Sequence, residues 1–271
     1  MSSSAVTTQE RIVGRNRAAV VDELRRLLPR LESAAALSRL AARALPFDLA
    51  PLDAHLPQGG LTAGALHEVA PQQPGDTPAA FGFLAALLAR FAPSTRPVLL
   101  VAAAPVFAEH GCPHGHGLAH LGLDPARLIL VETRNDKQAL WAMEEALRSK
   151  VPAAIGGAAA RLDLKASQRL QLAAAEAGLP LLLLRPPVHD DASAAATRWR
   201  IGAAEAARDR FGLIERTRWN VRLERCRNGR PGDWLVEFDH AAYRFSLAAA
   251  LADPAFSRRA GAAHKGLLRT G

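Results

Sequence analysis

Most of the chain alternates between short apolar runs and longer segments whose apolar residues recur at helical spacing. The apolar runs are nearly continuous and strand-sized; they cover residues 66–70, 98–104, 128–132, 153–158 and 180–185. Helical spacing is found between these runs, in residues 79–91, 118–121, 136–149 and 165–177. Continuous apolar strands that alternate with helices are typical of a parallel sheet buried on both faces. The pattern therefore predicts an open, twisted α/β sheet with right-handed connections.

The last part of this predicted core has a different pattern. Residues 197–201, 219–226 and 234–238 alternate, and the middle run places Trp219, Val221 and Leu223 on one face. The turn between the last two runs contains an Asn-Gly pair. Alternation is typical of half-buried strands, and an Asn-Gly turn between two of them favours a hairpin. We therefore expect the mostly parallel sheet to end in a C-terminal antiparallel hairpin.

The two ends of the chain differ from the core. Residues 8–44 are rich in Arg, Leu and Ala at helical spacing, and Pro29 is expected to divide them into two helices. Residues 253–271 are rich in Ala, Arg and Gly. We therefore predict a helical N-terminal region over residues 1–45, an α/β core over residues 46–250 and a basic, disordered tail over residues 251–271.

Composition and charge exclude several classes of protein. The 271 residues are 49% hydrophobic and 22% charged, which excludes an intrinsically disordered chain, and two cysteines are too few for a disulfide-scaffolded secreted domain. The first residues lack the apolar segment of a signal peptide, and no run reaches the length of a membrane span, about 18 apolar residues. We therefore expect a cytoplasmic protein without membrane contact. Its net charge of +8 suits either a nucleic acid or an acidic protein partner.

The segment after the first predicted strand is where a nucleotide-binding loop would lie. Such a loop needs glycines for close approach of the backbone, a lysine for the phosphates and a Ser or Thr for Mg²⁺. Gly75 and Thr77 match that spacing, but Ala70 replaces the first glycine and Asp76 replaces the lysine. A carboxylate repels phosphate, and Pro74 lacks a backbone donor. We therefore interpret these residues as a degenerate phosphate loop and predict no nucleotide cofactor.

The residues around this loop resemble RecA-type ATPases. Residues 51–69 contain Leu-Asp, a Gly-Gly-Leu turn and a further glycine before the strand, and residues 118–124 resemble the helix that precedes the third strand. Catalytic members carry a Glu after the second strand and an Asp at the end of the fourth. The corresponding residues here, 102–105 and 154–158, contain no acid. The resemblance implies a RecA-like fold of the P-loop type, with helices on both faces of the sheet, in a pseudo-ATPase that is not an enzyme.

Within that superfamily the sequence most resembles the ImuA family. The similar segments follow in order and cover most of the core; they are residues 52–69, 117–129, 139–148, 196–201 and 218–231. The resemblance implies a non-catalytic accessory of SOS-linked, DNA damage-induced mutagenesis and translesion synthesis. It also implies the partners of such a protein, namely RecA, a Y-family-like adaptor and an error-prone C-family polymerase.

Arginines are concentrated on the predicted hairpin. The candidates for partner binding are Arg218, Arg222, Arg225, Arg227 and Arg230. In RecA-type assemblies, basic residues on a terminal hairpin reach the nucleotide of the adjacent subunit, and residues 225–229 resemble such a basic-x-basic turn. The alternative is a charged edge strand that is protected against aggregation. Single-stranded DNA is a further candidate partner, because Arg and Trp together bind phosphate and stack on bases; however, the spacing of Trp199, Trp219 and Trp234 predicts that they pack in the core.

Three other groups of residues carry candidate chemistry. His110, Cys112, His114, His116 and His120 could be zinc ligands, but they lack the paired Cys-x-x-Cys of a structural site, so we predict a polar loop and no metal site. The pair at 144–145 is expected on a solvated helix face, since adjacent helical residues diverge by about 100°. The histidine at position 67 is expected to be structural.

Two alternative functions remain open at this stage. One is an active ATP-dependent DNA-repair ATPase that uses a non-standard phosphate loop, and Asp76 is the residue that separates it from a pseudo-ATPase. The other is an SOS cell-division inhibitor related to the same superfamily. That inhibitor differs from the mutagenesis accessory in its protein partner rather than in any residue of the loop.

Overall fold

The structure, a computed structural model, describes residues 44–92, 95–187 and 192–248. Residues 1–43 of the predicted helical N-terminal region and the whole predicted tail lie outside the described residues. Ala44–Leu45, at the end of that N-terminal region, form a short strand, β1, which pairs antiparallel with β2 (Leu61–Thr62). Among the described residues, no helix is long and apolar enough to cross a membrane.

A nine-stranded sheet organises the described part of the chain. Its strands are β3 (Leu66–Pro71), β4 (Val98–Ala103), β5 (Leu128–Thr133), β6 (Ala154–Ala158), β7 (Leu181–Leu184), β8 (Thr197–Arg208), β9 (Ile214–Cys226), β10 (Gly232–Asp239) and β11 (Arg244–Leu247). Their order across the sheet is β11-β10-β9-β8-β3-β7-β6-β4-β5. The six strands from β8 to β5 in that order run parallel, whereas β8, β9, β10 and β11 pair antiparallel.

Helices precede or connect the parallel strands and cover both faces of the sheet. They are α1 (Ala50–Asp53), α2 (Thr77–Phe91), α3 (Ala104–His110), α4 (Gly115–His120), α5 (Asp136–Ser149) and α6 (Leu164–Ala177). Short 3-10 turns lie at Pro57–Gly59, Pro74–Asp76 and Pro125–Arg127. The predicted α/β class is confirmed: the sheet is mostly parallel, with helices on both faces and C-terminal antiparallel strands.

Local sequence accounts for the ends of α5 and α6. The Asn135 side chain accepts a hydrogen bond from the N–H of Gln138, and Asp163 caps α6 through the N–H of Ala166. Such side chains satisfy donors that a helix N-terminus leaves unpaired. At the other end, α6 stops at Gly178, whose φ of +66° is a left-handed conformation that glycine adopts without strain. The two helices therefore begin and end where the sequence pattern placed them, to within a residue.

The core has two layers, one on each face of the sheet. On one face, α2 packs in an aromatic cluster in which the Phe83 ring lies 5.8 Å from Trp219 and 6.2 Å from Trp199. On the other face, α5 and α6 pack against the parallel strands through residues such as Met143 and Leu170. Trp199 and Trp219 are fully buried, as expected, while Trp234 is half-buried at the edge of the first layer.

The strand pair β8–β9 is longer than its neighbours. Pairing with β3 ends at Ile201, and pairing of β9 with β10 begins at Thr217. Residues 204–216, which we call the β8–β9 arm, therefore extend beyond both flanking strands. Because β8 is parallel to β3, the arm projects at the sheet end where the phosphate-loop segment follows β3. The β9–β10 turn, residues 227–231, lies at the opposite end.

Candidate functional site

The degenerate phosphate loop lies where the sequence pattern placed it, between the first strand of the core and a helix. β3 ends at Pro71, a 3-10 turn covers Pro74–Asp76, and α2 begins at Thr77. Ala70 is fully buried within β3, whereas Gly75 lies in open space, where an added β-carbon would have no heavy atom within 4 Å. The strand, turn and helix of a nucleotide-binding loop are thus present, and its chemistry depends on the side chains that fill them.

Asp76 is nearly buried and its carboxylate is held by two backbone donors. The residue is only 5% exposed. Its Oδ1 accepts a hydrogen bond from the N–H of Ala203 on β8 at 3.0 Å, and its Oδ2 accepts one from the N–H of Gln73 at 3.2 Å. The carboxylate therefore closes the 3-10 turn and ties it to the base of the β8–β9 arm, a structural role in place of the lysine of a nucleotide-binding loop.

Two further donors of the loop are also used within the protein. The N–H of Gln72 donates to the Ile201 carbonyl at 2.8 Å, which continues the pairing of β3 with β8 by one residue. The Thr77 hydroxyl donates to the Pro74 carbonyl at 3.0 Å. Pro71 and Pro74 have no N–H to offer. A phosphate cradle needs several free backbone donors that converge on one point, whereas here the N–H groups of Gln72 and Gln73 are already used inside the protein.

An apolar cavity of about 240 Å³ opens beside this loop. Its walls are the C-terminal ends of β4, β6 and β7 together with α2 and α3, and its polar rim consists of Thr77, His110, Cys112 and His114. Ala102 and Ala158 lie in the two segments where catalytic members carry acids, and the cavity lining contains no carboxylate. A pocket of this kind accepts apolar groups and gives no stabilisation to a charged triphosphate.

The histidine-rich segment is divided between two places. His110, Cys112 and His114 line the cavity, whereas the His120 ring packs 6.2 Å from that of His240 in the turn between β10 and β11. In residues 44–92, 95–187 and 192–248, no three His, Cys, Asp or Glu side chains converge in a way that could hold a metal ion.

Two of the three predicted partner-binding arginines on β9, Arg218 and Arg222, lie on the outer face of the sheet. The Arg218 Nε donates to Glu237 Oε1 at 2.7 Å, and the guanidinium is largely buried by that contact. Arg222 is 59% exposed at its side chain and lies 3.7 Å from the Asp233 carboxylate across the β9–β10 ladder. Arg222 is therefore the more accessible of the two.

The other three predicted arginines, one at the end of β9 and two in the β9–β10 turn, anchor this end of the hairpin to the body of the protein. Arg225 donates to the Ser193 carbonyl at 3.0 Å, Arg227 to the Ala194 carbonyl at 2.9 Å, and Arg230 to the Ala54 carbonyl at 3.4 Å. This turn lies at the end of the sheet opposite the phosphate loop. The five arginines are thus not brought together into one site, and the turn resembling a basic-x-basic motif does not approach the loop.

The basic residues that do lie at the phosphate-loop end are not among those predicted from the sequence. Arg208 and Arg210 flank the turn of the β8–β9 arm, followed by the exposed side chains of Phe211, Leu213 and Ile214. The available signal was Asp209 three residues before Gly212, a turn pattern between two strands. This turn signal is weak because the preceding residues are mostly alanine, and a run of alanines shows no alternation of apolar and polar side chains.

Buried polar groups support the neighbouring strands. Glu68 is fully buried, and its carboxylate accepts from the Arg198 Nε at 3.0 Å and from the Ser193 hydroxyl at 2.8 Å. His67 accepts from the Thr197 hydroxyl and donates to the Thr62 carbonyl, so both ring nitrogens are satisfied in the neutral form. Burial lowers the pKa of His67 to about 4. The structural role expected of His67 agrees with this environment.

The expectation of a solvated pair at residues 144–145 is wrong for its first member. Glu144 is only 4% exposed, because packing of α5 against α6 covers it. Its carboxylate is paired with Arg148 at 2.6 Å and with Arg169 on α6. A buried carboxylate persists only when charged partners replace its water, and sequence spacing on α5 alone could not reveal the arginine supplied by α6.

Comparison with known proteins gives one clear relationship. No family model matches the chain. The chain is 35% identical over 237 residues to Protein ImuA of Caulobacter vibrioides, a match that covers 80% of this chain and 93% of the relative. The protein of that name from a second strain gives the same figures.

Two solved structures show more distant similarity. SulA from Pseudomonas aeruginosa is 22% identical with a TM-score of 0.36, over 45% of this chain and 97% of that one. A KaiC-like protein from the archaeon Pyrococcus horikoshii is 13% identical with a TM-score of 0.47, over 77% of this chain and 100% of that one. Structural similarity with TM-scores this low gives no information about activity.

Proposed function

The chain belongs to the ImuA family, and we propose that it is a non-catalytic, RecA-like accessory in DNA damage-induced mutagenesis and translesion synthesis. In this proposal it is a pseudo-ATPase that binds RecA and the complex of the Y-family-like adaptor with the error-prone C-family polymerase. Its surfaces, rather than a nucleotide site, carry the function.

The observation that supports the pseudo-ATPase most strongly is the position of Asp76. Its carboxylate holds the N–H groups of Gln73 and Ala203, so it replaces the lysine of a phosphate loop in sequence and serves the fold in structure. Binding of a triphosphate would place several negative charges beside a carboxylate that is nearly buried. Like charges in a partly dehydrated site repel strongly. Releasing Asp76 to avoid this repulsion would leave the Ala203 N–H without its partner.

The environment of the loop supports the same conclusion. The adjoining cavity is lined by apolar side chains from α2 and by the ends of β4, β6 and β7. A catalytic site for phosphoryl transfer depends on charged groups and a metal ion that stabilise the developing charge. The cavity lining supplies no carboxylate for such a metal ion, and His110 and His114 lie at its rim.

Nucleotide binding tests the pseudo-ATPase directly. The purified full-length chain is titrated with Mg-ATP by calorimetry, with RecA of the same bacterium as the positive control. We expect no saturable heat at millimolar ATP. A dissociation constant in the micromolar range, or ATP hydrolysis that disappears in an Asp76→Ala variant, would favour the alternative of an active ATPase.

Binding of purified partners tests the accessory role. The chain is titrated separately with RecA, with the adaptor and with the polymerase of the same bacterium. We expect saturable binding to at least one of them. Absence of binding to all three would contradict the proposal, and binding to a division protein instead would favour the cell-division inhibitor.

A further inference from the structure

The β8–β9 arm is built unlike the rest of the sheet. Its two strands pair only with each other beyond Ile201 on one side and Thr217 on the other. At about 3.3 Å per residue, the continuation of β8 to Arg208 carries the turn roughly 20 Å past the end of β3. A two-stranded ribbon without a third strand or a covering helix buries little apolar surface of its own. The length of the arm therefore adds little buried surface to the core.

The turn at the end of the arm exposes large apolar side chains. Phe211 is 72% exposed, Leu213 66% and Ile214 65%. These are three of the most exposed large hydrophobic residues in the described part of the chain, and they lie within four consecutive positions. Scattered single exposures are ordinary on a protein surface, but a contiguous group at a projecting tip is typical of a contact site.

Internal hydrogen bonds hold the tip in one shape. Asp209 Oδ1 accepts from the N–H of Phe211 at 2.8 Å and from the N–H of Leu213 at 2.9 Å. Gly212, with φ of +80°, returns the chain, and its carbonyl accepts from Arg208 at 2.8 Å. A side chain presented by a preformed turn loses less conformational freedom on binding than one on a mobile loop. The tip is therefore preorganised to present Phe211 and Leu213.

Charge distinguishes among the partners that could cover this tip. The Arg210 guanidinium lies 4.6 Å from the centre of the Phe211 ring, and Arg208 is exposed beside the turn. Asp209 is the acidic residue between them, and its carboxylate is used by the turn; Glu205 and Glu215 lie lower on the arm. Burial of the Phe211 ring brings the Arg210 charge into the contact, which favours carboxylates on the rim of the opposing surface.

The two terminal segments outside the described residues do not have that chemistry. Residues 1–43 carry 8 arginines against 4 acids, and residues 249–271 carry 4 basic residues against 1 acid. Both are basic and would repel Arg208 and Arg210. Single-stranded DNA would use Phe211 and the arginines but gains nothing from the aliphatic Leu213 and Ile214, since stacking needs an aromatic ring.

We propose that the tip of the β8–β9 arm docks Phe211 and Leu213 into an apolar groove with an acidic rim on a partner protein. This inference rests on the proposed function, because it takes the partner from the mutagenesis proteins. The contact is made on the phosphate-loop side of the sheet, beyond Asp76 at the base of the arm and away from the arginine-rich β9–β10 turn.

The experiment compares variants in binding to purified RecA, adaptor and polymerase. Both apolar side chains are replaced in F211S/L213S, and R208E/R210E reverses the charge of the tip. The matched control is Leu172→Ser, because Leu172 on α6 is equally exposed, at 62%, but lies away from the arm. Thermal unfolding of each variant establishes that it is folded, which is expected since all the replaced side chains are at the surface.

The expected result is that the unmodified chain binds at least one partner and that F211S/L213S weakens this binding at least tenfold. The variant R208E/R210E also weakens partner binding, and its effect is larger at low salt. The control Leu172→Ser changes partner binding less than twofold. Binding that is unchanged in F211S/L213S would overturn the docking site and leave the proposed function standing. Absence of binding by the unmodified chain would overturn both.

Two additional measurements separate other occupants of the tip. Sedimentation shows whether F211S/L213S dissociates an oligomer of this chain, and a labelled single-stranded oligonucleotide shows whether it loses DNA binding. A change in either, with partner binding intact, would overturn the proposal in favour of a second copy or of DNA. The absence of a change in both, together with the tenfold loss, supports the partner groove.

Discussion

The two hairpins that share β9 use their arginines in opposite ways. At the β9–β10 turn, Arg225 and Arg227 donate to the carbonyls of Ser193 and Ala194, so the charge is used to hold the turn against the body of the protein. At the tip of the β8–β9 arm, Arg210 contacts the ring of its neighbour Phe211, and both side chains face the solvent. The first hairpin is anchored by side chain-to-backbone bonds, and the second carries its apolar residues outward.

This difference shows why the density of arginines in a sequence is a weak indicator of a binding site. A guanidinium has five donors and satisfies carbonyls that would otherwise be left unpaired where an irregular segment packs. The segment before β8 is such a case, since Ser193 and Ala194 lie outside regular strands. The β8–β9 hairpin has the accessible surface, because the apolar residues at its tip have no partner in the sheet.

The largest effect on the anchored hairpin is expected from Glu68. Its buried carboxylate binds Arg198 at the start of β8 and the hydroxyl of Ser193, whose carbonyl in turn holds Arg225. Removing one member of a buried ion pair costs about 3–5 kcal/mol. We expect Glu68→Gln to lower the free energy of unfolding by that amount, measured by urea denaturation.

The control for this change is a glutamate on the arm. Glu215 is exposed, so Glu215→Gln is expected to alter the free energy of unfolding by less than about 0.5 kcal/mol. Equal effects of the two substitutions would remove the distinction between an anchored and a projecting hairpin.

The second-largest expected effect is the loss of folding stability at acid pH that is caused by His67. The pKa of this buried ring is lowered from 6.5 to about 4, so the unfolded chain binds a proton that the folded chain does not. The stabilisation is complete above pH 6.5 and is lost as the pH falls towards 4. At about 1.4 kcal/mol per pKa unit, the loss is about 3 kcal/mol. It is measured as the difference in unfolding free energy between pH 7 and pH 4.

His67 lies beside the anchored end of the sheet, because its ring accepts from Thr197 at the first position of β8. The variant His67→Gln should lack this part of the pH dependence, while His116→Gln, at an exposed position, should keep it. A pH profile of His67→Gln that parallels that of the unmodified chain would assign the acid sensitivity to other groups.

Much of the fold follows from the sequence because it depends on local periodicity. The helix over residues 136–149 and the buried face of Trp219, Val221 and Leu223 arise from spacing that any single segment displays. The extension of β8 past Ile201 could not be predicted from the sequence in this way. Residues 203, 204, 206 and 207 are alanines, whose small side chains give no alternating apolar and polar pattern. Strand ends in such a segment are set by tertiary pairing.

The candidate site is predictable only in its chemistry. The sequence indicates that Asp76 stands where a nucleotide loop carries lysine, and this is sufficient to predict weak affinity for phosphate. The bond from the Ala203 N–H to Asp76 joins residues 127 positions apart, and no pattern within the loop contains it. The same holds for the arginines: their abundance is visible in the sequence, but the carbonyls that they bind are supplied by distant segments.

The smallest effect is expected from a direct exchange between the two hairpins. Arg225→Ala removes the bond to the Ser193 carbonyl, and one such net hydrogen bond is worth about 1 kcal/mol. Arg210→Ala removes a contact between two exposed side chains and should change the unfolding free energy by less than about 0.5 kcal/mol.

For partner binding we expect the opposite order, with a larger loss of affinity in Arg210→Ala than in Arg225→Ala. The reason is that Arg210 accompanies Phe211 into the proposed contact, while Arg225 stays within the protein. Both variants are compared by urea denaturation and by binding to the same purified partner. If Arg225→Ala left stability unchanged and weakened binding more than Arg210→Ala, the arginine-rich turn would be the contact surface and the arm would not.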